Sequence, residues 1–281
     1  MLKKGINFWS FAPGASVEHA AEVAAAAGME GIELCLDGAG PLTVDTTDDE
    51  VLALGQILKD HGLETASVAS GLPWEFPMTS DDAGKRATAL KAATRQIEVA
   101  ALLDAGAVLI VPGYAGCDFV PDAEVIPTEI ALERAREGLS QLAQVAEERG
   151  IDIGVENVWN KMLQTPTEMR DFIDSIGSER VGSYFDVANP LAVGYPEDWI
   201  RVLGKRIKRV HFKDYRRAIG TVDGFVGLLN GDVNFPEVVA ALHEIGYDGF
   251  CTGEILPPYT HFNDAMVHMT SIAMDYIMGR K

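Results

Sequence analysis

The chain has 281 residues and a formal charge of −19, from 23 Lys and Arg against 42 Asp and Glu. That balance excludes a protein that works on nucleic-acid phosphates or an anionic membrane surface, since both call for a basic face. Hydrophobic content of 47% and charged content of 23% fit a soluble globular protein long enough to bury a large core.

Short Val-, Ile- and Phe-rich segments alternate with alanine-rich amphipathic ones. Gly5–Trp9 reads as a first strand, followed by a helix from Ser16 to Ala27 with Ser16 as cap and Gly28 as stop. Gly31–Leu36 is the second strand and Asp49–Asp60 its helix. Glu64–Ser70 is the third, with a helix over about 83–104. Ala107–Val111 is the fourth, with a helix over about 127–149 that Gly150 ends. Asp152–Asn157 is the fifth, and Thr165-Pro166 with Glu168 marks a capped helix start. Val181–Asp186 is the sixth, followed by a short helix Tyr195–Leu203. Ile207–Lys213 is the seventh, with a helix over about 235–245. Gly249–Ile255 is the eighth, followed by a final helix over about 263–278.

Eight βα units in this length predict an α/β fold, a single (β/α)₈ TIM barrel spanning residues 1–281. A doubly wound sheet fits less well, because no G-x-G-x-x-G follows the first strand. The longest non-helical stretches, 71–82, 113–126 and 216–234, all follow predicted strands. In a barrel they would crown the catalytic rim. Cys35, Cys117 and Cys251 are odd in number and far apart, so they read as buried apolar side chains in a reducing, cytoplasmic setting. The stretch 5–17 is too rich in polar and turn residues for a signal-peptide core, and no run is long enough to span a membrane.

Functional side chains of a barrel sit at the C-terminal ends of its strands. Strand five ends in Val155-Glu156-Asn157, strand six in Phe185-Asp186-Val187, strand seven in His211-Phe212-Lys213-Asp214 and strand eight in Gly253-Glu254. Each strand thus offers one ligand-type group: Glu156, Asp186, His211 and Glu254. Any one alone would read equally well as a cap or an ion-pair partner. Three carboxylates and an imidazole converging on one mouth would repel one another unless a cation neutralised them. Such an oxygen-rich site with one nitrogen suits Mn²⁺ or Mg²⁺, with Co²⁺ or Zn²⁺ also compatible.

These segments, with Phe185-Asp186-Val187-Ala188-Asn189 and Gly231-Asp232-Val233-Asn234-Phe235, resemble the sugar phosphate isomerase/epimerase family of xylose-isomerase-like barrels over nearly the whole chain. Within it the sequence is most similar to ketose and ketose-phosphate 3-epimerases, including hexulose-6-phosphate isomerase-type proteins. The resemblance implies one divalent metal, often Mn²⁺, on Glu156, Asp186, His211 and Glu254, with Glu156 and Glu254 as the acid–base pair. It implies Arg217 as a substrate contact. Family 3-epimerases often carry a histidine where this chain has Asn189, which departs from the free-sugar epimerases and keeps a phosphorylated-sugar branch open.

The implied chemistry is metal-assisted: the ion stabilises the enediolate while one glutamate removes the C3 proton and the other returns it from the opposite face. Transfer between C1 and C2 would instead interconvert ketose and aldose. Lys213, Arg216 and Arg217 are the nearest candidate phosphate donors. Lys213 and Asn189 are also expected against substrate. The aromatics Phe8, Trp9, Trp74, Tyr114 and Trp159 near strand ends are candidates to exclude water. Glu33, inside strand two, reads as a substrate contact or an internal hydrogen-bond acceptor. His19, His61, His243, His261 and His268 are placed on helices or late loops. The partner is therefore a small carbohydrate, with neither nucleic acid nor membrane; a homo-oligomer is compatible. A lyase of the inosose dehydratase type is the alternative on the same scaffold. An apurinic endonuclease would need more histidines and a basic face.

Overall fold

A computed structural model describes residues 1–281. Strand β1 (Lys3–Asn7) leads to helix α1 (Val17–Ala26), β2 (Gly31–Cys35) to α2 (Asp48–Asp60), and β3 (Glu64–Ala69) to α3 (Ala83–Leu102). Then come β4 (Ala107–Ile110) with α4 (Thr128–Arg149), β5 (Asp152–Glu156) with α5 (Pro166–Ile176), and β6 (Val181–Asp186) with α6 (Pro196–Leu203). After β7 (Ile207–Phe212) the chain makes a small hairpin of β8 (Asp214–Tyr215) and β9 (Phe225–Val226) before α7 (Phe235–Glu244). Strand β10 (Phe250–Gly253) and α8 (Asn263–Ile277) complete the set.

Eight parallel strands close into a barrel in the order β1-β10-β7-β6-β5-β4-β3-β2, with β2 returning to β1. This is the (β/α)₈ barrel expected from the alternation. Helix starts are fixed by local chemistry. The Ser16 hydroxyl accepts from the His19 amide at 3.1 Å. Thr165 and Glu168 form the expected capping box, and Thr47 with Glu50 forms a second one. Each such cap stabilises its helix by about 1 kcal/mol. Gly150 ends α4 at φ +72°, where a side chain would be strained.

Boundaries shift from the sequence expectation by one or two residues, most visibly at the first strand. It ends at Asn7 rather than Trp9, because the Asn7 side chain accepts from the Trp9 amide at 2.7 Å and starts a 3₁₀ turn over Phe8–Ser10. The β8–β9 hairpin had no signal in hydrophobic periodicity. The Asp214 carboxylate organises it, accepting from the amides of Tyr215, Gly231 and Val233 at 2.9, 2.8 and 3.2 Å. A Cβ on Gly231 would lie 2.2 Å from Asp214 Oδ1, so only glycine fits there.

The packed layer between strands and helices forms one apolar cluster that includes Ile6, Leu34, Val68, Val155, Phe185 and Phe212. The three cysteines are free and buried. No helix is long and apolar enough to cross a membrane.

Candidate metal centre and active site

Glu156, Asp186 and His211 stand at or near the C-terminal ends of β5, β6 and β7, and Glu254 follows the last residue of β10. Their ligand atoms all lie within 4.8 Å of one another, and all four side chains are buried. The barrel order makes β5 and β10 three positions apart, so the two glutamates approach the mouth from different sides.

Each is held by its neighbours. Asp186 Oδ1 accepts from the amides of Ala188 and Asn189 at 2.7 and 2.8 Å. The Asn157 side chain bridges the Asp186 amide and carbonyl, and Asn189 Nδ2 donates to the Asn157 carbonyl at 2.9 Å. Those bonds leave Asp186 Oδ2 buried without a hydrogen-bond partner. His211 is locked from behind: its Nε2–H donates to Glu33 Oε1 at 2.7 Å, and its Nδ1, also unpartnered, lies 3.9 Å from Glu156 Oε1 and 3.7 Å from Glu254 Oε2.

Two unsatisfied buried ligand atoms pointing into one carboxylate-rich cluster fit a divalent cation, because buried polar atoms otherwise find partners. An O₃N donor set suits a hard or borderline ion.

The protein's own charges show the same strain. Burial, with Glu254 nearby, pushes the Glu156 carboxyl up to about 8. Burial also raises Asp186. Glu254 goes the other way: burial opposes its ionisation, but Lys213 and His211 hold it below the ordinary carboxylate range. Lys213 Nζ lies 2.6 Å from Glu254 Oε2 and 4.0 Å from Asp186 Oδ2, which raise its own pKa against burial. Burial would lower His211, yet the charges of Glu33 and Glu254 raise it to about 10.

The carboxylate behind His211 carries the weakest sequence signal of the site. Glu33 is wholly buried and takes hydrogen bonds from Asn7 Nδ2 at 2.6 Å, from Ser67 at 2.5 Å and from the Tyr184 hydroxyl, besides His211. It is an internal acceptor tying five strands together and does not line the cavity. A lone Glu in an otherwise apolar strand was the only signal for it. Tyr184 and Ser67 gave none.

A cavity of about 740 Å³ opens above the cluster. Glu156, Glu254, Lys213 and Asn189 line it, as do Trp9, Trp74 and Trp159. Phe8 and Tyr114 do not. Arg217 does not reach it either: its backbone amide donates to Asp232 at 2.9 Å and its guanidinium lies over the Tyr195 ring. Arg216 donates to the Asn230 carbonyl. His19 and His61 make surface pairs with Asp264 and Glu18, and His243, His261 and His268 are exposed.

A model of the xylose isomerase-like TIM barrel family matches residues 21–272. The chain belongs to that family. An uncharacterised protein of Methanocaldococcus jannaschii is 32% identical over 159 residues, 54% of this chain and about half (52%) of that protein. Fructoselysine 3-epimerase of Escherichia coli O157:H7 is 23% identical over 252 residues, 86% of each chain. An inosose dehydratase of Geobacillus thermodenitrificans is 27% identical over 146 residues, 46% of this chain and 48% of the dehydratase.

Two solved structures share the fold of this xylose isomerase-like barrel. D-psicose 3-epimerase crystallised with D-fructose superposes with TM-score 0.79 at 19% identity, covering 99% of this chain and 100% of the epimerase. The IOLI protein with a bound zinc atom superposes with TM-score 0.82 at 17% identity, covering 99% of each chain.

Proposed function

We propose that this protein is a divalent-metal-dependent ketose epimerase or isomerase, a single barrel domain working on a small carbohydrate in the cytoplasm. Its main support is the convergence of Glu156, Asp186, His211 and Glu254 within 4.8 Å, with Glu156 and Glu254 also lining the cavity of about 740 Å³. Those four residues would hold the ion, with Mn²⁺ the expected occupant. When bound, it would supply Lewis-acid polarisation of a ketose carbonyl and hydroxyl.

The remaining chemistry belongs to the chain. Glu156 and Glu254 both line the cavity and come from strands three positions apart around the barrel. One takes the proton from the carbon next to the carbonyl, and the other returns a proton to the other face. Lys213, 2.6 Å from Glu254, keeps that carboxylate ionised. Asn157 and Asn189 fix Asp186 through backbone bonds, so its free oxygen keeps its aim. The indoles of Trp9 and Trp159 are pinned by Asp37 and by the Asn189 carbonyl, at 2.7 and 2.9 Å, and wall the site from water. Similarity to fructoselysine 3-epimerase over 86% of the chain supports the epimerase side of this reading.

The partial similarity to inosose dehydratase supports a second reading. The same base would remove a proton beside a carbonyl, and the hydroxyl on the next carbon would leave as water, taking a proton from the other glutamate. Product analysis separates the two. A product of unchanged formula from a ketose supports epimerisation or isomerisation, whereas a product lighter by one water supports the dehydratase.

A further inference from the structure

The cavity of about 740 Å³ lies well within the roughly 300–1,000 Å³ of sites that take drug-sized ligands, and a bare hexulose fills only part of it. Ten of its nineteen lining residues are hydrophobic, so the surplus space has a definite character. The polar residues Glu156, Glu254, Lys213 and Asn189 belong to the floor at the strand ends. The apolar wall comes from separate rim loops: Trp74 after β3, Phe119 after β4, Val222 after β7 and Leu256 after β10. Trp74 and Phe119 meet edge-on with ring centroids 4.8 Å apart.

The charge of this wall is equally definite. Beyond the cluster and Lys213, the one charged lining residue is Asp223, exposed and without a cationic partner. Lys213 is committed to Glu254 and Asp186. No arginine lines the cavity: Arg216 and Arg217 are engaged elsewhere, and Lys161 pairs with Asp118 at 2.6 Å. A phosphate at the far end of a sugar would face a carboxylate and aromatic surface, with no charge-assisted donor to offset its desolvation.

We propose that the natural substrate is an unphosphorylated ketose bearing an apolar group beyond its reacting carbons, and that this group packs on the Trp74–Phe119 wall. The inference rests on the ketose chemistry proposed above and adds the substrate class. The sugar hydroxyls meet the polar floor, and the apolar group covers rings that would otherwise stay wet. The same wall rejects phosphate esters.

Calorimetric titration of the metal-loaded protein with fructose, fructose 6-phosphate and a 6-O-benzyl ether of fructose tests this. The ether is expected to bind at least about tenfold more tightly than fructose, and the phosphate more weakly than fructose. Trp74→Ala and Phe119→Ala should each shrink the ratio of ether to fructose affinity. Phe119 is 38% exposed, so its replacement spares the core. Phosphate binding as tight as the ether, or an ether no tighter than fructose, overturns the inference. A preserved ether preference with no C–H exchange in D₂O for any of the three would instead remove the ketose chemistry and leave the cavity's selectivity standing.

Discussion

His211 Nε2 lies 2.7 Å from Glu33 Oε1, and both side chains are wholly buried. The contact fixes which ring nitrogen faces the carboxylate cluster. Burial would raise the Glu33 carboxyl, but His211 opposite, with Ser67 and Tyr184 donating, holds it below the ordinary range. A carboxylate behind a ligating histidine orients the ring and raises its basicity, and its loss typically weakens metal binding about 10–100-fold. Glu33→Gln should therefore lower Mn²⁺ affinity by that order, measured by titration of metal-stripped protein. Unchanged affinity would reduce Glu33 to a packing role.

Glu156→Gln and Glu254→Gln should each lower turnover by about 10²–10⁴ while the fold survives. Near-normal turnover in either variant removes that residue from the proton-transfer pair.

The same two substitutions should part company in stability. Glu254→Gln strips Lys213 of its 2.6 Å partner inside the protein, and breaking such a pair costs about 3–5 kcal/mol. Glu156→Gln removes a carboxyl whose charge burial already disfavours, so metal-free protein should lose little or gain. Denaturant melts of the metal-free variants report the difference. Equal losses would contradict the assigned pairing.

Cation binding to the folded cluster should appear as thermal stabilisation. At a Mn²⁺ concentration about 100 times its Kd, linkage predicts about 2.7 kcal/mol, which chelator reverses. Asp186→Asn, which alters the cluster carboxylate with an unpartnered oxygen, should abolish most of the rise in Tm. A full rise in the variant would place the ion elsewhere.

A pH effect is expected far from the site. Lys4 on β1 lies 2.6 Å from Asp275 on α8, and the bonds from Lys4 and Lys281 hold the Asp275 carboxyl below the usual range despite some burial. A depressed carboxylate contributes its full stabilisation above its unfolded value near 4 and loses it as pH falls through the folded value. Asp275→Asn should therefore cost about 1 kcal/mol at pH 7, a deficit that shrinks toward pH 3. A deficit constant with pH would mean that the charge on Asp275 does not matter.

Much of this was legible in the sequence for identifiable reasons. The eight-fold alternation sufficed for the barrel because each βα unit buries its own apolar stripe. Glu156, Asp186, His211 and Glu254 stood out because ionisable groups at four neighbouring strand ends would repel one another without a shared cation. What stayed hidden depends on contacts distant in sequence. Glu33 meets His211 across 178 residues, and Ser67 and Tyr184 join it from other strands. The loop after β7 was equally opaque. Its course hangs on Asp214 gathering amides from Gly231 and Val233, which turns Arg216 and Arg217 away from the cavity that their position near His211 had suggested.

Metal-dependent proton transfer by the four clustered residues would leave an isotopic trace in a ketose substrate. Its most direct test is NMR of a ketose panel, including apolar-substituted members, in D₂O with metal-loaded protein. Deuterium exchange at the carbon beside the carbonyl should appear, need the divalent metal and vanish in Glu156→Gln. Metal bound stoichiometrically at Glu156, Asp186, His211 and Glu254 with no exchange in any ketose would contradict it.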